Sequence, residues 1–192
     1  REAISCENEN DFNTNDVGHS FRREIAKLSL YSDEPKRAFH KLNEAGVTAF
    51  YVPCLKKTHI NVACFSPPSG KPVWTVNLRH QWLDNFWITL LHECAHVEKH
   101  LLDEGLIIDE TESSTGAFGN DPGMENETNT LALSALLPDD IRDEIFRVVK
   151  NISKAKMQFY IRKADVHETV IPAQVRMMTG QHTHFAEMVG KG

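Results

Sequence analysis

Along residues 21–32, "FRREIAKLSLYS", apolar side chains return with the spacing of a short amphipathic helix. The next stretch, "SDEPKRAFHKLNEAG", predicts a second helix, with Ser32 or Asp33 as its cap, Pro35 in the first turn and Gly46 as its stop. The period then shortens. Val47–Pro53, Ile60–Ser66 and Val73–Leu78 predict three short strands, the last two joined by the turn-rich "PPSGKP" as a hairpin. An apolar segment from about Asp84 to Leu102 predicts a long helix. "DEGLIIDETESSTGAFGNDPG" follows as a loop with one short extended piece at Leu106–Ile108. A strongly patterned helix then runs from Met124 to Leu137 and stops at Pro138. Further helices are expected at Asp140–Lys150, near Lys154–Lys163, and at Pro172–Met178 with a neighbour reaching Val189. Residues 1–20 are polar and rich in Asn, Asp and Glu, as in a linker or frayed leader. The pattern is that of an α+β protein.

Composition narrows the function classes. The 192 residues suffice for one domain with a proper core, or a core plus a helical extension. A net charge of −6, with no long Lys/Arg block, argues against this segment itself gripping nucleic acid, because phosphate neutralisation needs a basic face. No run approaches the roughly 18 apolar residues of a membrane span, and no signal peptide opens the chain. The first residue is Arg1 rather than Met, as in a fragment or trimmed product. Cys6, Cys54, Cys64 and Cys94 show no C-x-x-C spacing, so thiols in a reducing cytoplasm are expected rather than disulfides.

The chemistry concentrates in "FWITLLHECAHVEKH", residues 86–100. On a helix, positions four apart differ by only about 40° of rotation, so His92 and His96 project from one side and can converge on one ion. Glu93 lies about 100° round from His92, close to that site but poorly aimed as a ligand; it is placed as a base toward water. Phe86, Trp87, Ile88, Leu90, Leu91, Val97, Leu101 and Leu102 surround the helix with apolar surface. Two imidazoles and a carboxylate in such a helix need compensation, and zinc supplies it. The competing reading is a pair of core histidines satisfied by hydrogen bonds.

A third ligand must come from elsewhere. The long metzincin pattern would need Gly and His where Lys99 and Leu102 stand, which excludes that class. His100 is two turns beyond His92, too far along the axis, and reads as a capping or surface residue. "MENETNTLALSALLP" offers a carboxylate. Taking Glu125 as the origin of a helical wheel, Asn129, Ala132, Leu133 and Leu136 fall within about 80° of it, while Glu127, Thr130 and Ser134 lie opposite. Glu125 is therefore the expected third ligand, Glu127 faces solvent, and Asn129 is placed to orient a ligand histidine through its other ring nitrogen. The alternative is that Glu125 merely favours the N-terminus of its helix.

"FWITLLHECAH" followed by "ENETNTLALSALLP" resembles the ImmA/IrrE family of zinc metallopeptidases, with an H-E-x-x-H and, after a variable loop, E-x-x-x-(N/D) running into small apolar residues and a Pro stop. The similarity extends over roughly residues 20–192, and its lead-in and tail resemble members fused behind a helix-turn-helix, often labelled long HigA-like antitoxins or regulators. Thr128 stands where Ala is common, Leu131 where Phe is common, and the loop between the motifs is long, departures that bear on pocket shape rather than on the metal. The resemblance implies a zincin-like (gluzincin) fold. It implies Zn2+ held by His92, His96 and Glu125, Glu93 as general base and Asn129 behind the ligands. It further implies a core over residues 21–138, with 139–192 a helical extension packed on it.

The expected activity is hydrolysis of a peptide bond in a protein partner, a transcriptional repressor or regulator, in the cytoplasm. The alternative is a weakly proteolytic or non-proteolytic metal-binding sensor of an antitoxin-type regulator, whose partner is a repressor or a toxin and whose DNA contacts would belong to a helix-turn-helix upstream. No residue identifies itself as the oxyanion donor. His167, His182 and His184 are candidates against the plainer reading of surface histidines.

Overall fold

The computed structural model describes residues 8–31, 34–52, 60–76, 83–110, 122–148, 151–179 and 185–189. Cys6, Cys54, His182, His184 and the candidate caps Ser32 and Asp33 lie outside these residues. After a 3-10 turn at Thr14–Val17 come α1 (His19–Leu28), α2 (Glu34–Glu44), β1 (Thr48–Tyr51), β2 (Ile60–Phe65) and β3 (Val73–Val76). Then follow α3 (Leu83–Lys99), a single turn α4 (Leu101–Glu104) and β4 (Leu106–Glu110). The rest is helical: α5 (Pro122–Leu136), α6 (Asp139–Val148), α7 (Lys154–Ala164), α8 (Val170–Thr179) and a last 3-10 turn, Ala186–Met188. The molecule is α+β.

The four strands form one mixed sheet in the order β1-β3-β2-β4, with β1 parallel to β3 and the other pairs antiparallel. The hairpin expected between β2 and β3 is present, and its turn is closed by Gly70 N–H donating to the Pro67 carbonyl at 2.8 Å. The extended piece foreseen at Leu106–Ile108 is longer, and it is a full member of the sheet along β2. Cys64 pairs with Trp74 on one side and Ile107 on the other, and all three are buried in one core with Trp87, Leu90, Leu91 and Cys94 of α3. Period-2 alternation thus gives the sheet a face that covers α3. The core continues without a break into Ile141, Ile145, Met157, Tyr160, Val170 and Val175 of the C-terminal helices.

The N-terminal segment departs from the expected linker. From Asn8 onward it is folded against the body: Asn8 and Val17 are buried, and the Asn8 and Asn10 side-chain amides donate to the Asn43 carbonyl at 3.0 and 2.9 Å. Its polar composition serves local hydrogen bonding rather than solvation, as where Asn13 accepts from the Asn15 N–H. The segment also crosses the stop of α2 closely. Gly46 has φ of 79°, and a Cβ there would lie 2.5 Å from the Asp11 carbonyl oxygen. Gly46→Ala is therefore expected to cost about 2–4 kcal/mol, combining left-handed strain with a backbone clash. A urea unfolding midpoint equal to that of the unmodified chain would refute this packing.

Candidate metal centre

The long helix α3 is buried on nearly every side, and His92, Glu93 and His96 are buried with it, at 8%, 1% and 0% exposure. Burial of these groups inside an apolar helix is what the sequence predicts, and the structure shows where each one goes. The two imidazoles turn toward α5, which packs along α3. His92 Nε2 and His96 Nε2 stand 2.9 Å apart, and Glu125 reaches them with Oε2 at 3.2 Å and Oε1 at 3.3 Å respectively. Among the described residues this trio is a group that could hold a metal ion.

The distances fit a small tetrahedral cation. Metal–ligand bonds of about 2.0–2.1 Å place ligand atoms about 3.3 Å apart, close to the three separations seen here. Two imidazole nitrogens at 2.9 Å need a proton or a cation between them, since two lone pairs repel. His92 Nδ1 lies 3.1 Å from Asn129 Oδ1, and an Nδ1–H donating there would leave the Nε2 lone pair for a cation shared with Glu125. Burial pushes the His96 imidazole below its ordinary range, with the Glu125 hydrogen bond opposing and His92 adding to the fall. The ring is therefore neutral at pH 7, the form that binds a metal.

The carboxylate that the wheel singles out, Glu125, is the one that reaches both imidazoles, but the wheel misplaced the buried arc. α5 buries Thr128, Ala132, Ala135 and Leu136, so Glu125 stands at the rim of that arc rather than at its centre. Thr128 tolerates burial because its hydroxyl donates to the Met124 and Glu125 carbonyls at 3.1 and 3.0 Å. Rim placement leaves the Glu125 side chain 31% exposed, which opens one side of the trio to solvent.

His100 also differs from expectation. It occupies the N-cap position of α4 without a side-chain capping bond, and its side chain is mostly buried rather than on the surface. Its ring lies edge-on to that of His96, with centroids 5.6 Å apart, and its Nε2 is 3.4 Å from Glu127 Oε2. Glu127 is half exposed, as the wheel expects, yet reaches back to this histidine. Of the oxyanion candidates, His167 lies in the turn before α8, where its Nδ1 is 2.9 Å from Thr169 Oγ1 and its backbone N–H donates to Ser29 Oγ. That turn accounts for it structurally.

Glu93 is buried within electrostatic reach of Cys64 on β2 and Cys94 on α3. Burial pushes the Cys64 and Cys94 thiols well above their ordinary range, and the nearby Glu93 charge pushes both further. Both cysteines are free, and as neutral thiols they are no competitors for a metal.

Sequence reasoning missed two arginines. Arg22 is fully buried and pairs with Glu98 of α3, and Arg23 bonds carbonyls at the ends of α5 and α7. The signal was "FRRE" within an amphipathic helix, where two adjacent arginines cannot share one solvent face.

If the trio holds a metal ion, Glu125→Gln is expected to weaken its binding by more than about 100-fold and Asn129→Ala by about 10-fold, with Glu127→Gln smaller than either. Chelator-competition titrations in which Glu127→Gln matched Glu125→Gln would remove Glu125 from the ligand set.

Two of the three side chains lie on α3 and the third reaches them from α5, so the chain is an α+β protein with a buried His92–His96–Glu125 group that could hold a metal ion. The chain matches no protein-family model, and no curated protein shows significant similarity to it. Among the described residues no helix is long and apolar enough to cross a membrane.

Proposed function

We propose that the chain is a zincin-like metallopeptidase domain of the ImmA/IrrE type, hydrolysing a peptide bond in a transcriptional repressor or regulator. The observation that carries this reading is the triangle of His92, His96 and Glu125 at 2.9–3.3 Å, with Asn129 beside His92 Nδ1 and Glu93 next in sequence. A closed structural site has no need of that glutamate or of a solvent-facing side. Zinc, when bound, supplies Lewis acidity toward a carbonyl oxygen and lowers the pKa of water toward 7. The chain's own residues do the rest. Glu93 takes up the proton of the attacking water and delivers it to the departing nitrogen. The outer strands of the sheet, β1 and β4, offer backbone edges on which an extended peptide aligns by strand addition.

The complete burial of Glu93 favours a second reading, a metal-dependent sensor that binds its partner without cutting it. The two readings part in one experiment. A repressor encoded beside this chain is incubated with zinc-loaded protein and with Glu93→Gln, and the products are weighed by mass spectrometry. A single new cut that depends on Glu93 supports the peptidase. Partner binding without fragments, changed by metal loading, supports the sensor.

A further inference from the structure

The buried face of α5 carries mostly small side chains. The buried positions of α5 are Thr128, Ala132, Ala135 and Leu136, which allow the close approach that lets a short carboxylate reach two imidazoles. The same smoothness gives little interlocking, so packing by itself fixes the axial register of α5 weakly. Register matters here: each residue of slide moves a helix by about 1.5 Å, enough to take Glu125 out of reach of His92 and His96.

Besides the direct His92–Asn129 and His100–Glu127 contacts, two polar fastenings lie on α1. Arg22 Nη1 pairs with Glu98 of α3 and also donates to the Val17 carbonyl at 3.3 Å, with the whole side chain 1% exposed. Arg23, the next residue, donates to the Ala135 carbonyl at 2.9 Å and the Leu136 carbonyl at 3.4 Å, at the C-terminus of α5. Its other terminal nitrogen donates to Ala164, at the end of α7. Carbonyls at a helix C-terminus are short of intrahelical partners and carry partial negative charge, so a planar guanidinium satisfies two helix ends together.

We propose that Arg22 and Arg23 are positioning residues for the metal site: adjacent on one helix, one grips α3 and the other α5, and the pair sets the register that brings Glu125 to His92 and His96. This rests on the metal-binding reading above, and it assigns the site's geometry to a strut outside the site.

Arg23 is the better handle, because it is partly exposed and its loss leaves the buried Arg22–Glu98 pair in place. The test compares the full chain with Arg23→Ala, Arg23→Lys and Ile145→Val, the last a core change on α6 used as a reference for destabilisation alone. Each is measured for thermal stability, for zinc affinity by chelator competition, and for the visible spectrum of its cobalt-substituted form. Arg23→Ala is expected to weaken zinc binding about 10-fold, the scale of an outer partner of a ligand, and to shift the cobalt bands. Arg23→Lys, which keeps the charge without the fork, falls between it and the unmodified chain. Ile145→Val lowers the melting temperature and leaves affinity and spectrum unchanged. If Arg23→Ala and Ile145→Val behave alike in affinity and spectrum, the strut is refuted while the metal site stands. If the unmodified chain takes up no zinc, the metal reading falls and the strut with it.

Discussion

If the chain is the peptidase proposed above, Glu93→Gln is expected to lower its peptide hydrolysis by roughly 10²–10⁴-fold, the contribution of a positioned general base. Zinc content and melting temperature should stay nearly constant. The amide matches the carboxylate in size and helix preference, so the packing around this buried position is kept. A second readout checks that the substitution acts where the structure puts it. Glu93 helps to hold the Cys64 and Cys94 thiols above their ordinary range, so removing its charge lowers both. Cleavage of a partner at an undiminished rate by Glu93→Gln would take the residue out of the chemistry.

Arg22→Met should be among the most damaging single changes to stability, at about 3 kcal/mol, the low end for breaking a buried ion pair from one side. The low end applies because Glu98 retains 17% exposure and so some access to water. For a chain of this length about 3 kcal/mol corresponds to a fall of roughly 6–12 °C in melting temperature. The pH dependence has a definite sign. Burial by itself raises the Glu98 carboxyl, but hydrogen bonds and charge from Arg22 and Lys99 win and hold it below its ordinary value. A carboxylate lowered in this way stabilises the fold above its unfolded pKa, and the contribution fades as pH falls through the folded value. The gap between the unmodified chain and Arg22→Met should thus be full at pH 7 and narrow on acidification below the ordinary carboxylate range. A gap that widened in acid would contradict the pairing.

The legible parts of this fold are those written in local pattern. The α3 helix announces itself through an apolar run long enough to exclude a strand, and the His92/His96 spacing follows from helix geometry wherever that helix packs. Glu125 was singled out because a carboxylate among apolar neighbours is anomalous on a wheel. The wheel could not give the rotation of α5 itself, since Thr128 counts as polar there and is buried by virtue of bonds to its own helix. Likewise β4 reads as a brief extended piece because only two of its five residues, Ile107 and Ile108, are β-branched; its place depends on β2, which lies forty residues away. The segment from Asn8 to Val17 was misjudged by composition: its asparagines bond to the turn at Asn43, a contact no local rule contains. His100 and the arginine pair were missed for the same reason. Each is defined by a partner more than twenty residues distant.

Cys64 and Cys94, on opposite sides of the boundary between sheet and long helix, have no accessible surface at all. Their thiols, held neutral by burial, react with an alkylating reagent only after that boundary parts and water ionises them. The folded chain therefore carries its own stopwatch. The modification rate of these two sulfurs at fixed reagent and pH records how often the helix bearing His92 and His96 lifts from the strands. Any ligand that ties this helix to α5 should slow the count.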